Sequence, residues 1–489
     1  MRTFPSPRRR ALLAGVSLAL LAASCSTGGN PTPTSAGGSP TPSGPTGSTG
    51  PTGRSSAAPT GSTSPVPTGT RAVPRPTTTA LTLRSTPVSV PASMRKEPFD
   101  RPRALSVPVG WRVSVVSRIP RPRFMVLAPD GALLVSQPSG GSVTIIRRGV
   151  APAPFLTGLT FPHDLVIATL SGRTWLYVAE SNRVRRHPYS AGDRTAQPGE
   201  TVVAGLPDAS TPELKGAYAH ALKNIAIGPE GGLYVSIAST CNVCVSDTRS
   251  DPRRAAIYRY GVTGTDRRLY ATGLRNAEGL DFVPNTAELW VVVNNRDNIA
   301  YPEHRDVDGD GKDDYGKVLP SYVDNHPPEL FLRVKDGGFY GWPFCNSNPD
   351  RTIGMRDMPY DRDVEMNPDG RVDCATATLA DQGIPAHSAP LGLTFLQRTA
   401  VPRELRTGAV VAYHGSWNRT RRTGYKVVWF PWDSAGRRPG PAQDLVTGWV
   451  DVSGQDIWGR PVDVVADRDG TLLVSDDYSG TIYRLTPPG

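Results

Sequence analysis

LAPDGALLV, residues 127–135, reads as an apolar alternating run, a Pro-Asp-Gly turn and a second β-rich run. Such a turn supplies the φ values of a tight hairpin, and period-two hydrophobicity on both sides marks paired antiparallel strands. The phrase returns in LVIATLSGRTWLYV (165–178), IAIGPEGGLYV (225–235), LDFVPNTAELWV (280–291), residues 393–412 around Gly408, and VVADRDGTLLV (464–474). A hairpin cannot bury its faces alone, so the copies must stack on one another. For all-β repeats of this length the closed solution is a propeller. The sequence predicts an all-β fold, a six-bladed β-propeller over residues 97–489.

The chain ahead of the repeats has another character. Arg8, Arg9 and Arg10 precede an apolar run over residues 11–23, too short to span a bilayer, and small residues lead to Cys25. Residues 1–25 are expected to be a signal peptide. Leu21-Ala22-Ala23-Ser24-Cys25 resembles a bacterial lipoprotein processing site, with Leu one position further from the Cys than usual. Arg9-Arg10 also loosely resembles a twin-arginine export signal. The expected location is the outer face of the cell membrane, with a lipid on Cys25 as the sole membrane attachment, or secretion. Of residues 26–80, 44 of 55 are Pro, Thr, Ser or Gly, too little apolar surface to offset ordering entropy. Residues 26–96 are predicted to be a disordered tether.

Charge and cysteine content narrow the classes further. The net charge of +10 arises from the leader and tether: ten of the 54 Lys and Arg precede Glu97, leaving 44 to balance all 44 Asp and Glu. The folded part is neutral, so no nucleic-acid partner is expected. Of five Cys, lipid on Cys25 leaves Cys241 with Cys244 and Cys345 with Cys374. Outside the cytoplasm these read as two disulfides. The C-x-x-C follows a strand in a polar loop, without the helix N-terminus that activates a thiol, which favours a structural staple over thiol catalysis or metal binding.

The longest insertion lies between the fourth and fifth repeats, about residues 294–390, and long loops on a closed β scaffold commonly build the site. Around it stand, in order, HALKNIAIGP (220–229), GLRNAEGL (273–280), ELW (288–290), VNNRD (293–297), GGFYGWP (337–343), HSAPLG (387–392) and HGSWNR (414–419). From about Trp111 to Leu485 this ordered set resembles the glucose/sorbosone dehydrogenase family, six-bladed propellers that oxidise sugars with pyrroloquinoline quinone (PQQ), and more closely its sorbosone dehydrogenase-like branch.

The resemblance implies His220 as the base that takes a hydroxyl proton, and Arg275 as the cation that stabilises charge arriving on the quinone. It implies Asn276 and Arg460 as cofactor contacts, with Lys223, His387 and Arg419 as further candidates. Trp417 and His387 can pack against a planar ring, although a Trp is more often core. Three positions depart from the family: Ser239 stands where an Asp can orient the base, Glu278 where many members have Gln, and Val462 where a second Arg is usual. Calcium is the expected companion of PQQ. The family's metal-holding loop falls on Asn294-Asn295-Arg296-Asp297, which makes Asn295 and Asp297 candidate ligands. Independently, Asp306, Asp308, Asp310 and Asp314 with Gly311 have calcium-loop spacing, except that Lys317 replaces the final Glu.

The expected function is PQQ-dependent oxidation of a sugar or related polyol or aldehyde. Electrons would pass to an external acceptor, since Cys244 is followed by Val245 and no haem-attachment motif exists. Two other readings stay open at this stage: a non-catalytic glycan- or envelope-binding propeller, and a calcium-dependent lactonase, for which the sequence offers no clear acid cluster at the propeller centre. The particular sugar and the oligomeric state are not legible.

Overall fold

Each hairpin seen in the sequence is the inner pair of a sheet built on four antiparallel strands, to which blade three adds Gly338–Phe339 in parallel. The structure is a computed structural model describing residues 80–489 apart from 398, 434–437 and 452. The leader, Cys25 and the tether through residue 79 lie outside the described residues. Registers follow the hydrophobic alternation: Met125 faces Val135, Leu165 faces Val178, Ile225 faces Val235, Asp281 faces Trp290, Leu393 faces Val411 and Val464 faces Val474.

Blades one to five each run outward in chain order, from Met125–Leu127 to Ala153–Leu156, Leu165–Leu170 to Glu200–Val203, Ile225–Ile227 to Arg268–Thr272, Asn276–Phe282 to Gln382–Ile384, and Pro390–Phe395 to Gln443–Val446. The first strand of every blade contacts the first strand of the next. Blade six takes three strands from the C-terminus, Pro461–Ala466, Leu472–Asp476 and Thr481–Thr486, and its fourth, Arg112–Arg118, from the start of the domain. Joining first and last segments in one sheet closes the six-bladed ring without leaving its ends as open edges.

Residues 83–89, counted with the tether in the sequence reading, form a strand. Leu83–Ser89 pairs in parallel with Arg112–Arg118 and antiparallel with Ala104–Pro108, so blade six has six strands. Leu105 and Val107 are fully buried, and Ser106 exchanges backbone hydrogen bonds with Thr447 of blade five. Burying each such side chain contributes about 1.5–3 kcal/mol toward ordering the segment. The long insertion falls between the fourth and fifth hairpins, as expected, and within blade four. Residues 295–328 and 334–381 flank the blade's third strand, Glu329–Arg333. Both expected disulfides are formed, Cys241–Cys244 and Cys345–Cys374, and the second staples the larger of those loops.

Between blades, the ring is held by side chains on the inner strands. Asp164 of blade two accepts the Ile225 amide of blade three at 2.9 Å, and Asp463 of blade six accepts the Met125 amide of blade one at 2.8 Å. Asp281 of blade four accepts Phe395 N of blade five at 3.3 Å. Asn224 Oδ1 accepts Gly279 N, and Thr394 donates to the carbonyl of Val464. Gly392 makes room for this lacing: a Cβ there would lie 2.2 Å from Asp463 Oδ1. These acids stand singly, each occupied by backbone amides, and do not converge into a cluster: the one group of three close carboxylates among the described residues lies elsewhere. Burial pushes Asp281 and Asp463 up to about 7 and Asp164 well above the ordinary carboxylate value.

Candidate active site at one mouth of the ring

Inner strands begin, and second strands end, at the same end of the ring, so the residues just outside them share one mouth. Arg275 directly precedes Asn276–Phe282, and Arg460 directly precedes Pro461–Ala466. Ser239 follows Gly232–Ile237 by two residues, and the His220 loop enters the same blade from the same end.

His220 and Arg275, assigned from separate motifs, meet through Ser239. The ring nitrogen Nδ1 of His220 lies 2.8 Å from the Ser239 carbonyl and 3.1 Å from its hydroxyl. The carbonyl can only accept, so Nδ1 carries the proton and Nε2 the lone pair. The amide of Ser239 in turn donates to the carbonyl of Arg275 at 2.8 Å. The departure from the family's Asp is thus filled by a backbone carbonyl with a hydroxyl beside it. Burial, reinforced by the Arg275 charge, pushes the His220 imidazole down to about 4 and keeps it neutral at ordinary pH. Among the described residues its Nε2 has no hydrogen-bond partner.

Arg275 is buried and tightly held. It donates from Nε to the Asn242 carbonyl at 3.2 Å, and from Nη2 to Asn242 Oδ1 at 3.0 Å and Asp297 Oδ2 at 3.2 Å. Asn242 lies inside the Cys241–Cys244 ring, and that ring fixes it against both partners of the ion pair. Its Oδ1 also accepts the Asp297 amide, its Nδ2 donates to the Asp297 carbonyl, and its own carbonyl accepts Trp342 Nε1 at 3.0 Å. The C-x-x-C is therefore a staple, and its product is the position of a guanidinium. Nothing in the sequence marked Asn242 apart from its place between two cysteines.

Other expected residues distribute unevenly. His387 donates from Nε2 to the Val323 carbonyl and faces Asp297 Oδ1 from Nδ1 at 3.6 Å, so it supports Asp297 rather than facing the mouth. Asp297 would be raised by burial, but His387 and Arg275 hold it below the ordinary carboxylate value. Its carboxylate is committed to these cations, and the Asn295 amide group donates to the Pro328 carbonyl; the two do not form an open metal site. Lys223 is corrected outright. It is completely buried, donates to the Ala221 carbonyl, lies over the Tyr218 ring, and is lowered by burial to about 7. Arg419 is half-buried and bonds the carbonyls of Arg421 and Ala386.

Asn276 donates to Glu278 Oε1 at 3.3 Å, and Glu278 Oε2 is met by Asn224 at 2.7 Å and His163 Nε2 at 3.1 Å. Burial would raise Glu278, yet His163, Arg123 and Asn224 outweigh it and hold the carboxyl below its ordinary value. On the far side Arg460 donates to the carbonyls of His414 and Gly415, while Asp477 receives His414 Nε2 and Arg123 Nη1, each at 2.8 Å. The sequence reading missed His163, Arg123 and Asp477. Each lies just outside an inner or second strand, and that recurring offset was the available signal. Trp417 is 70% exposed rather than core.

In the acidic loop, Asp306, Asp308 and Asp314 bring one carboxylate oxygen each within 4.8 Å of the others, the one such group of three among the described residues. Asp310 faces Lys312 and Lys317 instead, and Lys317 Nζ bonds Asp314 at 2.7 Å.

The TrAA12-like family model matches residues 105–488, the whole ring together with its closing strand. The chain belongs to the TrAA12-like family. The TrAA12-like ring is similar to a PQQ-dependent pyranose dehydrogenase of Coprinopsis cinerea, 29% identical over 244 residues, which are 45% of this chain and 31% of that protein. An uncharacterized protein of Borreliella burgdorferi is 26% identical over 254 residues, 52% of this chain and 56% of that one. The match thus spans about half the length of one curated relative and a third of the other. Among solved structures, the holo PQQ domain of the Coprinopsis cinerea pyranose dehydrogenase superposes with a TM-score of 0.62 at 22% identity, covering 82% of this chain and 98% of that one. A calcium structure of the Trichoderma reesei family AA12 protein gives 0.63 at 21%, covering 78% and 96%. At these identities the superpositions establish the shared fold.

The mouth of this TrAA12-like ring suits a planar polycarboxylate. Arg123 Nε and His163 Nδ1 are buried with no partner among the described residues, and Arg123, Arg275 and Arg460 are fixed by protein acceptors before any ligand arrives. Guanidinium groups held in this way match carboxylates with little reorganisation.

Proposed function

We propose that this protein is a PQQ-dependent dehydrogenase of a sugar or related polyol or aldehyde, of the sorbosone dehydrogenase-like kind. The observation that carries the reading is His220, with Nδ1 fixed by Ser239 and Nε2 free beside a buried, immobilised Arg275. Bound PQQ would supply the acceptor for the two-electron step. Nε2 of His220 would take the proton of the substrate hydroxyl, so that oxidation of C–OH to C=O leaves that proton on the imidazole. Arg275 supplies positive charge where negative charge develops, and its fixed partners remove any need for it to reorganise. Arg123 and Arg460 would hold cofactor carboxylates. An external acceptor then takes the electrons.

Separately from the mouth, Asp306, Asp308 and Asp314 are the carboxylates we propose for a calcium ion in the exposed acidic loop. We also propose export and acylation of Cys25; Cys25→Ala should release the protein from membranes, and unchanged membrane retention would overturn the anchor.

The central test reconstitutes the purified protein with PQQ and calcium and follows dye reduction with a panel of aldoses. His220→Ala should keep PQQ affinity and lose on the order of 100-fold or more in turnover; wild-type turnover in that variant refutes the assigned base. Because His220 sits at about 4, the base is protonated only as pH falls through that value. The acid limb of kcat/KM should therefore lie near pH 4, not near the ordinary histidine value.

A further inference from the structure

Beside the mouth, on the same end of the ring, the loops after Ala409–Tyr413 and Leu472–Asp476 enclose a groove of about 570 Å³ with Val450, Asp451 and residues 453–457. That volume falls within the ~300–1,000 Å³ typical of small-ligand sites. Two large aromatics stand out of its walls: Trp417 is 70% exposed and Tyr478 is 61% exposed. Such side chains present a flat apolar face with a polar tip, a surface suited to ligands that are apolar on one face and hydroxylated at the rim.

Between them the lining is cationic. Arg419, Arg421, Arg422 and Arg460 all border the groove. Among the described residues, Arg421 and Arg422 donate no side-chain hydrogen bond and form no ion pair, although Asp451 stands in the same wall. Asp451 is committed elsewhere: its carboxylate accepts Ser453 Oγ and the amides of Gln455 and Asp456. Unpaired guanidinium groups in a concave wall favour carboxylates, which they bind bidentately. Arg460 belongs to both places, lining the groove while its Nη2 bonds the Gly415 carbonyl at the mouth. The groove is thus continuous with the site where oxidation is proposed.

We infer that this groove binds an acidic oligosaccharide, its uronate-bearing pyranose rings on Trp417 and Tyr478 and its carboxylates on Arg421 and Arg422. The choice of a sugar over another polyanion rests on the sugar-oxidising reading of the mouth. It narrows the substrate class to the end unit of a charged glycan chain.

Calorimetry with the cofactor-free full chain in calcium-free buffer tests this, using hexagalacturonate, neutral maltohexaose and hexaglutamate. Saturable binding of hexagalacturonate is expected, with at least tenfold weaker binding of the other two. Trp417→Ala should weaken it at least tenfold, and Arg421→Gln with Arg422→Gln should do the same; both sites are exposed, so folding is retained. Absence of hexagalacturonate binding overturns the inference. So does equal affinity for maltohexaose, which removes the acidic requirement, or for hexaglutamate, which removes the sugar. Unchanged affinity in the Trp417→Ala variant places the ligand elsewhere and overturns it as well. PQQ uptake is read separately, by the rise in Tm on adding PQQ and calcium. A failed quinone reading and a failed groove therefore give different results.

Discussion

Two sets of aspartates in this chain look alike in composition and differ in what the fold asks of them. Asp281 and Asp463 lie on inner strands and Asp164 directly before one, and each accepts a backbone amide of the next blade. Asp306, Asp308 and Asp310 lie on an exposed loop and accept amides of their own turn, as Asp306 does from Gly309 and Gly311. The first set joins elements distant in sequence; the second shapes a few consecutive residues. A bond that closes a ring between blades resists opening because the whole sheet must move to break it. A bond within a turn is exchanged for water at little cost.

Asp297 falls between these extremes and offers the largest expected effect. Asp297→Ala leaves the buried Arg275 guanidinium without its carboxylate, and urea unfolding should show a loss of roughly 2–4 kcal/mol. That is at or below the range for a fully buried pair, since Asp297 keeps 20% of its side chain exposed. A loss under half of this would show that Asn242 alone suffices to hold the arginine.

Next comes Asp463→Ala, which orphans the Met125 amide between blades six and one and should cost about 1–3 kcal/mol. Equal stability of this variant and wild type would erase the distinction between the two sets.

The pH dependence sharpens it further. Burial raises Asp281 and Asp463 from the ordinary 3.8 to about 7, so between those values the folded state holds protons that the unfolded state has released. Stability from these groups is full below about pH 4 and declines as pH rises through 7. Asn cannot titrate, so Tm of Asp281→Asn relative to wild type should increase across that window and level off above it. A flat difference would mean that the Phe395 and Phe282 amides keep the carboxylate charged.

The smallest effect is expected in the exposed loop. Without calcium, Asp308→Asn should change stability by no more than about 0.5 kcal/mol. With calcium present, wild type alone should gain in Tm, and an equal gain in the variant would remove this loop as the binding site.

Much of the fold was legible because the signals are local. A turn and its two flanking runs occupy about ten residues, and all six hairpins lie where the pattern placed them. The disulfides were legible from the cysteine count. Lys223 misled because a Lys between His220 and Asn224 looks like a mouth cation, whereas the loop turns it under Tyr218. The tether's end was missed because Leu83–Ser89 alternates only weakly, with one buried residue, Val88, and has the composition of the segment before it. The clamps left a faint trace. Asp164, Asn224 and Asp463 each stand directly before the paired residues Leu165, Ile225 and Val464, an offset visible only once the blades are aligned.

The sequence by itself determined the number of blades and the turns that shape them, since these follow from spacing along the chain. Tertiary structure decided which acids are spanned by a neighbour's amide, which lysine is buried, and that Asn242 in a disulfide ring fixes Arg275. Those outcomes depend on desolvation and on partners brought close only when the ring closes, and neither is written in local order.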